Sequence, residues 1–271
     1  MMRVLSWGMG LQSTTLAVLS AKGALPRLDA VLATDPGWER RQTYETTNFY
    51  FDWLSHEGLH VEIIPTGDIR QDGAQNHIHM PFWTETGGPL NRQCTKNFKI
   101  LPIRRRIREL LGYHPSQPPA PPPNATELWL GFSWEEVGRL KPSNVQFIVH
   151  RSPLIEMRWT RKHCTQYLES QGLPVPVKSS CVGCPFRTPA EWLEMKQISP
   201  DEWEEAVSFD NDNRNNPLAQ QTNGKCTADQ LYIYKHRRQP EPLATANLEA
   251  HARTQRPDQL YLDWCDGPCA T

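Results

Sequence analysis

The chain has 271 residues, 29 basic and 30 acidic side chains and a formal net charge of −1, enough length for one large domain or a domain with a small appendage. That balance argues neither for nor against a nucleic-acid partner, because a local basic patch can hide inside a neutral total. No run approaches the roughly eighteen apolar residues of a membrane span, and the start lacks a secretory pattern, so a cytoplasmic protein with no membrane partner is expected.

In chain order, residues 3–7 read as a buried strand and 13–22 as the helix after it. "LDAVLATD" (28–35) is a second strand, 40–57 an amphipathic helix and "HVEIIPTG" (60–67) a third strand. Residues 68–98 lack clear periodicity and read as a long functional loop. "ILPIRRRIRELLG" (100–112) places Ile100, Ile103, Ile107 and Leu110 at helical spacing, with Arg104, Arg105, Arg106 and Arg108 on the other faces. Six prolines in "HPSQPPAPPP" mark a polyproline-like surface loop or disordered insertion within 113–124. "ELWLGFS" (127–133) and "VQFIVH" (145–150) read as strands. A helix runs from Thr160 as N-cap to Gly172, and 188–197 and 200–213 read as helices. This alternation predicts an α/β fold: a doubly wound parallel sheet, Rossmann-like, with a smaller helical, cysteine-rich C-terminal part. The expected division is an α/β domain at 1–150 and a helical region with the tail at 151–271. Ligands of such sheets bind at the carboxyl ends of the strands.

In "RVLSWGMGLQSTTLAVL" (3–19) a strand turns through Gly8 and Gly10 into a helix. Its free backbone N–H groups and helix dipole make an anion site, with hydroxyls at Ser13, Thr14 and Thr15 as further donors. The alternative is a turn that needs glycine for its backbone alone. Asp35 and Glu39 follow the second strand in "TDPGWE". Arg104, Arg105, Arg106 and Arg108, with Lys96 and Lys99 upstream, form the densest basic cluster, suited to phosphates or to a solvated helix face. Glu135, Arg139 and Lys141 follow a strand end as a substrate-side wall. His77 and His79 alternate in the long loop, as ligands or as exposed loop residues.

Seven cysteines, an odd number, argue against a complete disulfide framework. "SSCVGCPF" (179–186) carries a C-x-x-C pair, which alone reads as a redox dithiol, half a zinc site or part of an iron–sulfur cluster.

Together these stretches resemble the adenine nucleotide alpha hydrolase (PP-loop) superfamily, over roughly residues 3–240. Gly10-Leu11-Gln12-Ser13 is similar to the Gly-x-Asp-Ser of its pyrophosphate loop. Gln12 in place of Asp is what phosphoadenosine phosphosulfate (PAPS) reductases carry. "TDPGWE" and "QTYETTNFYFDWL" are similar to the next strand end and helix of those reductases. "RQCTKNFKILPIRRRI" (92–107) resembles the Cys-Cys-x-x-Arg-Lys-Val-x-Pro-Leu stretch of the iron–sulfur form, with Cys94, Lys99 and Pro102 in register and Gln93 replacing the first cysteine. "YKHRRQPEPL" (234–243) resembles a late basic segment.

The resemblance implies a nucleotide set of Ser6, Gly8, Gly10, Gln12, Ser13, Thr14, Asp35 and Glu39, binding ATP (or PAPS as substrate), with Mg2+ as an accompanying cation. It implies a [4Fe–4S] cluster on Cys94, Cys181 and Cys184, with Cys164 or a tail cysteine as the fourth ligand, or with one iron left open. The competing metal is zinc on Cys181, Cys184, Cys265 and Cys269. Cys265 and Cys269 in "WCDGPC" loosely echo the mobile nucleophilic cysteine of PAPS reductases, and Lys99 and Asp35 complete the catalytic candidates. Two activities follow: ATP-dependent adenylation and thiolation of a nucleic acid (tRNA or DNA, including phosphorothioation) or small molecule, or reduction of a sulfonucleotide. A sulfur donor or thioredoxin-like reductant is the implied partner, and a homodimer is compatible. The rival class is a non-catalytic nucleotide-binding module with structural zinc.

Overall fold

The structure, a computed structural model, describes residues 1–75, 80–90, 92–217, 221–222, 225–226 and 228–254. In chain order its elements are β1 (Met2–Ser6), α1 (Leu11–Ala21), β2 (Ala30–Asp35), α2 (Arg41–His56), β3 (Val61–Pro65), α3 (Ile69–Gln75) and β4 (Trp83–Thr84). A π-helical turn (Thr95–Ile100) runs into α4 (Leu101–Leu110), followed by β5 (Thr126–Leu130), a 3-10 segment (Trp134–Arg139), β6 (Ile148–Arg151), α5 (Pro153–Glu156) and α6 (Arg161–Ser170). Then come α7 (Pro189–Ile198), α8 (Pro200–Asn213), the two-residue strands β7 (Gln221–Thr222), β8 (Lys225–Cys226), β9 (Leu231–Tyr232), β10 (Lys235–His236) and β11 (Gln239–Pro240), and α9 (Leu248–Arg253).

Two units divide the chain: Met1–Thr66 with Phe98–Ser180, and Gly67–Asn97 with the described residues from Cys181 onward. The first unit is α/β. Its five strands are all parallel, in the order β3-β2-β1-β5-β6. The chain leaves β1 for one side of the sheet and returns on the other at β5, so a topological switch point lies between these two strands.

Alternation along the strands sorts the core into two layers. Leu5, Val31, Ala33 and Trp129 face α1, α2, α5 and α6, where they meet Leu16, Leu19, Tyr50, Leu54, Leu154 and Leu168. Val4, Ala30, Leu32, Leu128 and Ile148 face the other way, onto Ile103 and Ile107 of α4. Helices on both faces make the sheet doubly wound, as the apolar runs predict. The Thr160 hydroxyl accepts from the His163 N–H and caps α6 as expected.

The arginines of α4 are consumed within this unit. Arg106 makes a forked pair with Glu62, Arg104 bonds the Asn144 side chain, and Arg108 donates to the carbonyls of His114, Gln117 and Pro119. The proline-rich stretch is therefore an anchored loop. Three of the four arginines are spent on the fold, leaving only Arg105 exposed for a ligand.

In the second unit, α7, α8 and α9 pack with short antiparallel strands. The β4–β9 pair joins Trp83 to Tyr232, and Phe82 stacks on Phe209 with ring centres 5.7 Å apart. Asp210, 1% exposed, accepts from the N–H groups of Ile233 and Leu243 at 2.8 and 3.0 Å and pairs with Arg214. One buried carboxylate thus ties α8 to two loops. Among the described residues no helix is long and apolar enough to cross a membrane.

Ile107→Ala should lower the unfolding free energy by about 2–5 kcal/mol, the cost of a cavity under the sheet, whereas Arg105→Ala on the same helix should change it by less than about 0.5 kcal/mol. Urea denaturation of both variants measures the difference.

Candidate nucleotide site and thiol cluster

The turn after β1 is closed by one hydroxyl. Ser13 Oγ accepts from the Gly8 N–H at 3.1 Å and donates to the Gly10 carbonyl at 3.2 Å. Met9 between them takes a left-handed conformation (φ 59°), an unusual state for a residue with a side chain. Gly10 is the N-cap of α1 in extended geometry, no side chain caps the helix, and its first turn has no acidic residue. The first N–H groups of α1 and its positive dipole end are left for a ligand or water.

The loop after β5 meets this turn. A Cβ on Gly131 would lie 2.7 Å from the Ser13 backbone nitrogen and 2.9 Å from its Cα. No other residue fits without displacing α1. Gly10 approaches the Ser179 backbone, where a Cβ would lie 3.7 Å from the Ser179 nitrogen.

Side chains lock the arrangement. Gln12 Nε2 donates to Glu136 Oε2 at 2.8 Å, and Gln12 Oε1 accepts from Arg161 at 3.0 Å. Glu136 also accepts from Ser133 and pairs with Arg139. An amide both donates and accepts here, which a carboxylate cannot do beside Glu136. Glu39, with its side chain 1% exposed, pairs with Lys99 at 3.1 Å and accepts from Ser179 Oγ at 3.3 Å.

Other expected site residues have local structural partners. Asp35 Oδ1 accepts from the Gly37 N–H and the Tyr44 hydroxyl at 2.8 and 2.7 Å. Burial, and then the bond to Asp35, push the Tyr44 phenol well above its ordinary pKa, so it remains a donor. Thr14 is fully buried and accepts from Trp7 Nε1, while Thr15 bonds back to the Leu11 carbonyl. Ser6 ends β1 and is half-buried. Glu135 accepts from the Arg161 N–H, and Lys141 is exposed. Gly131, Glu136, Arg161 and Ser179 escape the sequence reading. Gly131 does carry a signal, since it follows its strand just as the Gly8 turn follows β1.

Cys94, Cys181 and Cys184 all lie in the second unit, half-buried and without disulfides. The turn is compact: the Cys184 N–H donates to the Cys181 carbonyl at 3.2 Å. Buried Arg187 donates to the carbonyls of Val182 and Cys181 at 3.2 and 2.9 Å. Trp83 Nε1 donates to the Pro185 carbonyl at 3.1 Å. Burial pushes the Cys184 thiol up, the charges of Arg92 and Arg187 oppose this, and the neighbouring Cys94 adds to it. The two guanidinium groups thus favour the Cys184 thiolate against its burial. Among the described residues no three His, Cys, Asp or Glu side chains converge on one point as a single metal ion requires.

Cys164 lies elsewhere, in the core of the first unit, 0% exposed among leucines. Burial raises its pKa to about 11 against weaker opposing effects of Thr15 and Arg161. Cys265, Cys269, His77 and His79 lie outside the described residues.

No family model and no curated protein matches the chain. Among solved structures, the U34-tRNA thiolase NcsA from Methanococcus maripaludis with its [4Fe–4S] cluster is similar at 11% identity and a TM-score of 0.42. The match covers 93% of this chain and 80% of that one. A likeness at that level carries no argument about this site.

Gly131→Ala should lower the unfolding free energy by about 1–3 kcal/mol, as urea denaturation would show, because its methyl would overlap the Ser13 backbone. In iodoacetamide labelling at pH 8, Cys164 should stay unmodified in the native protein and react only after denaturation, as mass spectrometry of peptides would show.

Proposed function

We propose that this chain is an adenine-nucleotide-dependent sulfur-transfer enzyme of the PAPS reductase-like branch of the PP-loop superfamily. The observation that carries the reading is the approach of Gly131 to the open first turn of α1. It makes a close-walled anion cradle at the switch point of a parallel sheet. The sequence resemblance then gives the cradle its ligand, the phosphates of ATP, with Mg2+ carried in by them.

In this reading the backbone N–H groups of Leu11, Gln12 and Ser13 hold phosphate oxygens. Glu136 and Arg161 keep the Gln12 side chain out of the cradle by fixing both ends of its amide. Lys99, held by the buried Glu39, supplies a cation of fixed position beside Ser179, whose backbone lines Gly10. A substrate oxygen attacks the α-phosphorus, the bond to the bridging oxygen breaks and pyrophosphate leaves. A sulfur nucleophile then displaces AMP, so oxygen is exchanged for sulfur.

In this reading Cys94, Cys181 and Cys184 would be the thiolate ligands of an iron–sulfur cluster, supported by the C-x-x-C spacing and by the charges of Arg92 and Arg187 acting on Cys184. Held by three thiolates, such a cluster would supply an iron able to carry the transferred sulfur. The chain's own contribution is to hold the turn rigid, through Arg187 on two of its carbonyls and Trp83 on a third. Ser179 stands two residues before this pair in sequence.

Anaerobically purified protein should be brown and contain iron and sulfide. Cys94→Ser, Cys181→Ser and Cys184→Ser should each lose that colour, and Cys164→Ser should keep it. Adding tRNA or single-stranded DNA should stimulate pyrophosphate release from ATP. A colourless protein with stoichiometric zinc would remove the cluster from the proposal, and sulfite release from PAPS with thioredoxin would replace thiolation by sulfonucleotide reduction.

A further inference from the structure

The second unit holds a recess unrelated to its thiols. About 450 Å3 in volume, it is lined by Glu85, His236, Arg238, Gln239, Glu241 and His251. The β10–β11 pair is a tight hairpin, with His236 opposite Gln239 and the exposed Arg237 and Arg238 at its tip. Arg237 takes a left-handed backbone (φ 56°). The tip lies on the turn after β4 so closely that a Cβ on Gly87 would stand 2.4 Å from the Arg238 carbonyl oxygen.

Inside the recess the rings of His236 and His251 are stacked, with centres 3.9 Å apart and planes within 4°. The Tyr234 ring is nearly parallel to His251 with centres 6.1 Å apart, and its hydroxyl pairs with His251 Nδ1 at 2.8 Å. Partial burial, His251 and Arg237 all lower the pKa of His236, which favours a neutral ring.

The chemistry narrows the ligand. Parallel imidazoles present their nitrogens side by side, so they do not converge on a metal ion as a chelating pair does. A bare anion would face two carboxylates. Glu85 accepts from the N–H groups of Asp229 and Gln230, and Glu241 lies 3.6 Å from His251 Nδ1. A flat aromatic ring with donors and acceptors on its edge, its phosphate lying towards the hairpin-tip arginines rather than between the carboxylates, fits this lining better. It has a ring to stack on, Gln239 and Glu241 for the edge, and two arginines for the phosphate.

We propose that this recess binds single-stranded nucleic acid, one base stacking on the His236–His251 pair while the adjoining phosphate meets Arg237 and Arg238. Its role, holding the strand that accepts sulfur, rests on the function proposed above; the binding itself does not.

The test measures fluorescence anisotropy of labelled single-stranded RNA and DNA of one mixed sequence with the full chain at low salt. His236→Ala should weaken binding roughly five- to hundredfold, the loss of one base stack, and His236→Trp should restore most of it. Arg238→Ala, which leaves the backbone contact to Gly87 in place, should weaken binding and flatten its salt dependence. Binding by His236→Ala equal to wild type, failure of His236→Trp to rescue, or no strand binding by wild type would each overturn the site. ATP binding is measured on the same samples. Protein that binds ATP but no strand overturns the recess and leaves the nucleotide reading standing; protein that binds strands through His236 but no ATP does the reverse.

Discussion

A strand-end glycine and the first-turn nitrogen of a helix press together in the first unit, and the rest of that unit is arranged about their approach. β1 and β5 are paired in parallel, Leu5 opposite Trp129 and Ser6 opposite Leu130, so both strands end level and their loops leave by the same edge. The β1 loop must turn into α1 there, while the β5 loop must cross the start of the same helix. Only the absence of a side chain at Gly131 lets both do so. Unpaired N–H groups are costly when buried, so a helix start this crowded and uncapped is stable only if water or a ligand reaches it.

The polar network around that point is built for rigidity. Gln12, Glu136, Arg139, Arg161 and Ser133 form a chain in which each group has a partner, and Arg139 also covers the Phe132 ring at 4.6 Å. Networks of this type hold one geometry because loosening any member strands another. The near-neutral charge of the chain conceals how unevenly its charges are used. On α4 they brace loops and β3, near α1 they fix an amide, and on the β10–β11 hairpin two arginines project into solvent.

Much of the α/β unit could be read from the sequence because its signals are local. Apolar runs of five or six residues mark strands buried on both faces, and Thr160 and Thr188 followed by helical spacing mark helix starts. The C-x-x-C pair is equally local. What stayed hidden depends on distant partners. Residues 68–98 read as an aperiodic loop, yet they hold α3 and β4, and β4 gains its identity only by pairing with β9 far along the chain. The proline-rich stretch looks unstructured until Arg108 is seen holding three of its carbonyls. Cys164 shows the limit from the other side: a thiol that packs among leucines and one that holds a metal are the same letter.

The second unit is discontinuous, and that has a consequence for how the protein is made. Met80, Phe82 and Trp83 are almost completely buried in the finished molecule, yet everything from Phe98 to Ser180 is synthesised before their covering segments begin to emerge. At ordinary translation speeds that leaves an apolar segment waiting for several seconds on the ribosome, roughly the interval in which chaperones act. The first unit, whose opening strand–helix–strand run is continuous, can begin to collapse during this delay. Birth order thus favours an α/β scaffold completed first and a thiol-bearing unit closed last, after α9 leaves the exit tunnel.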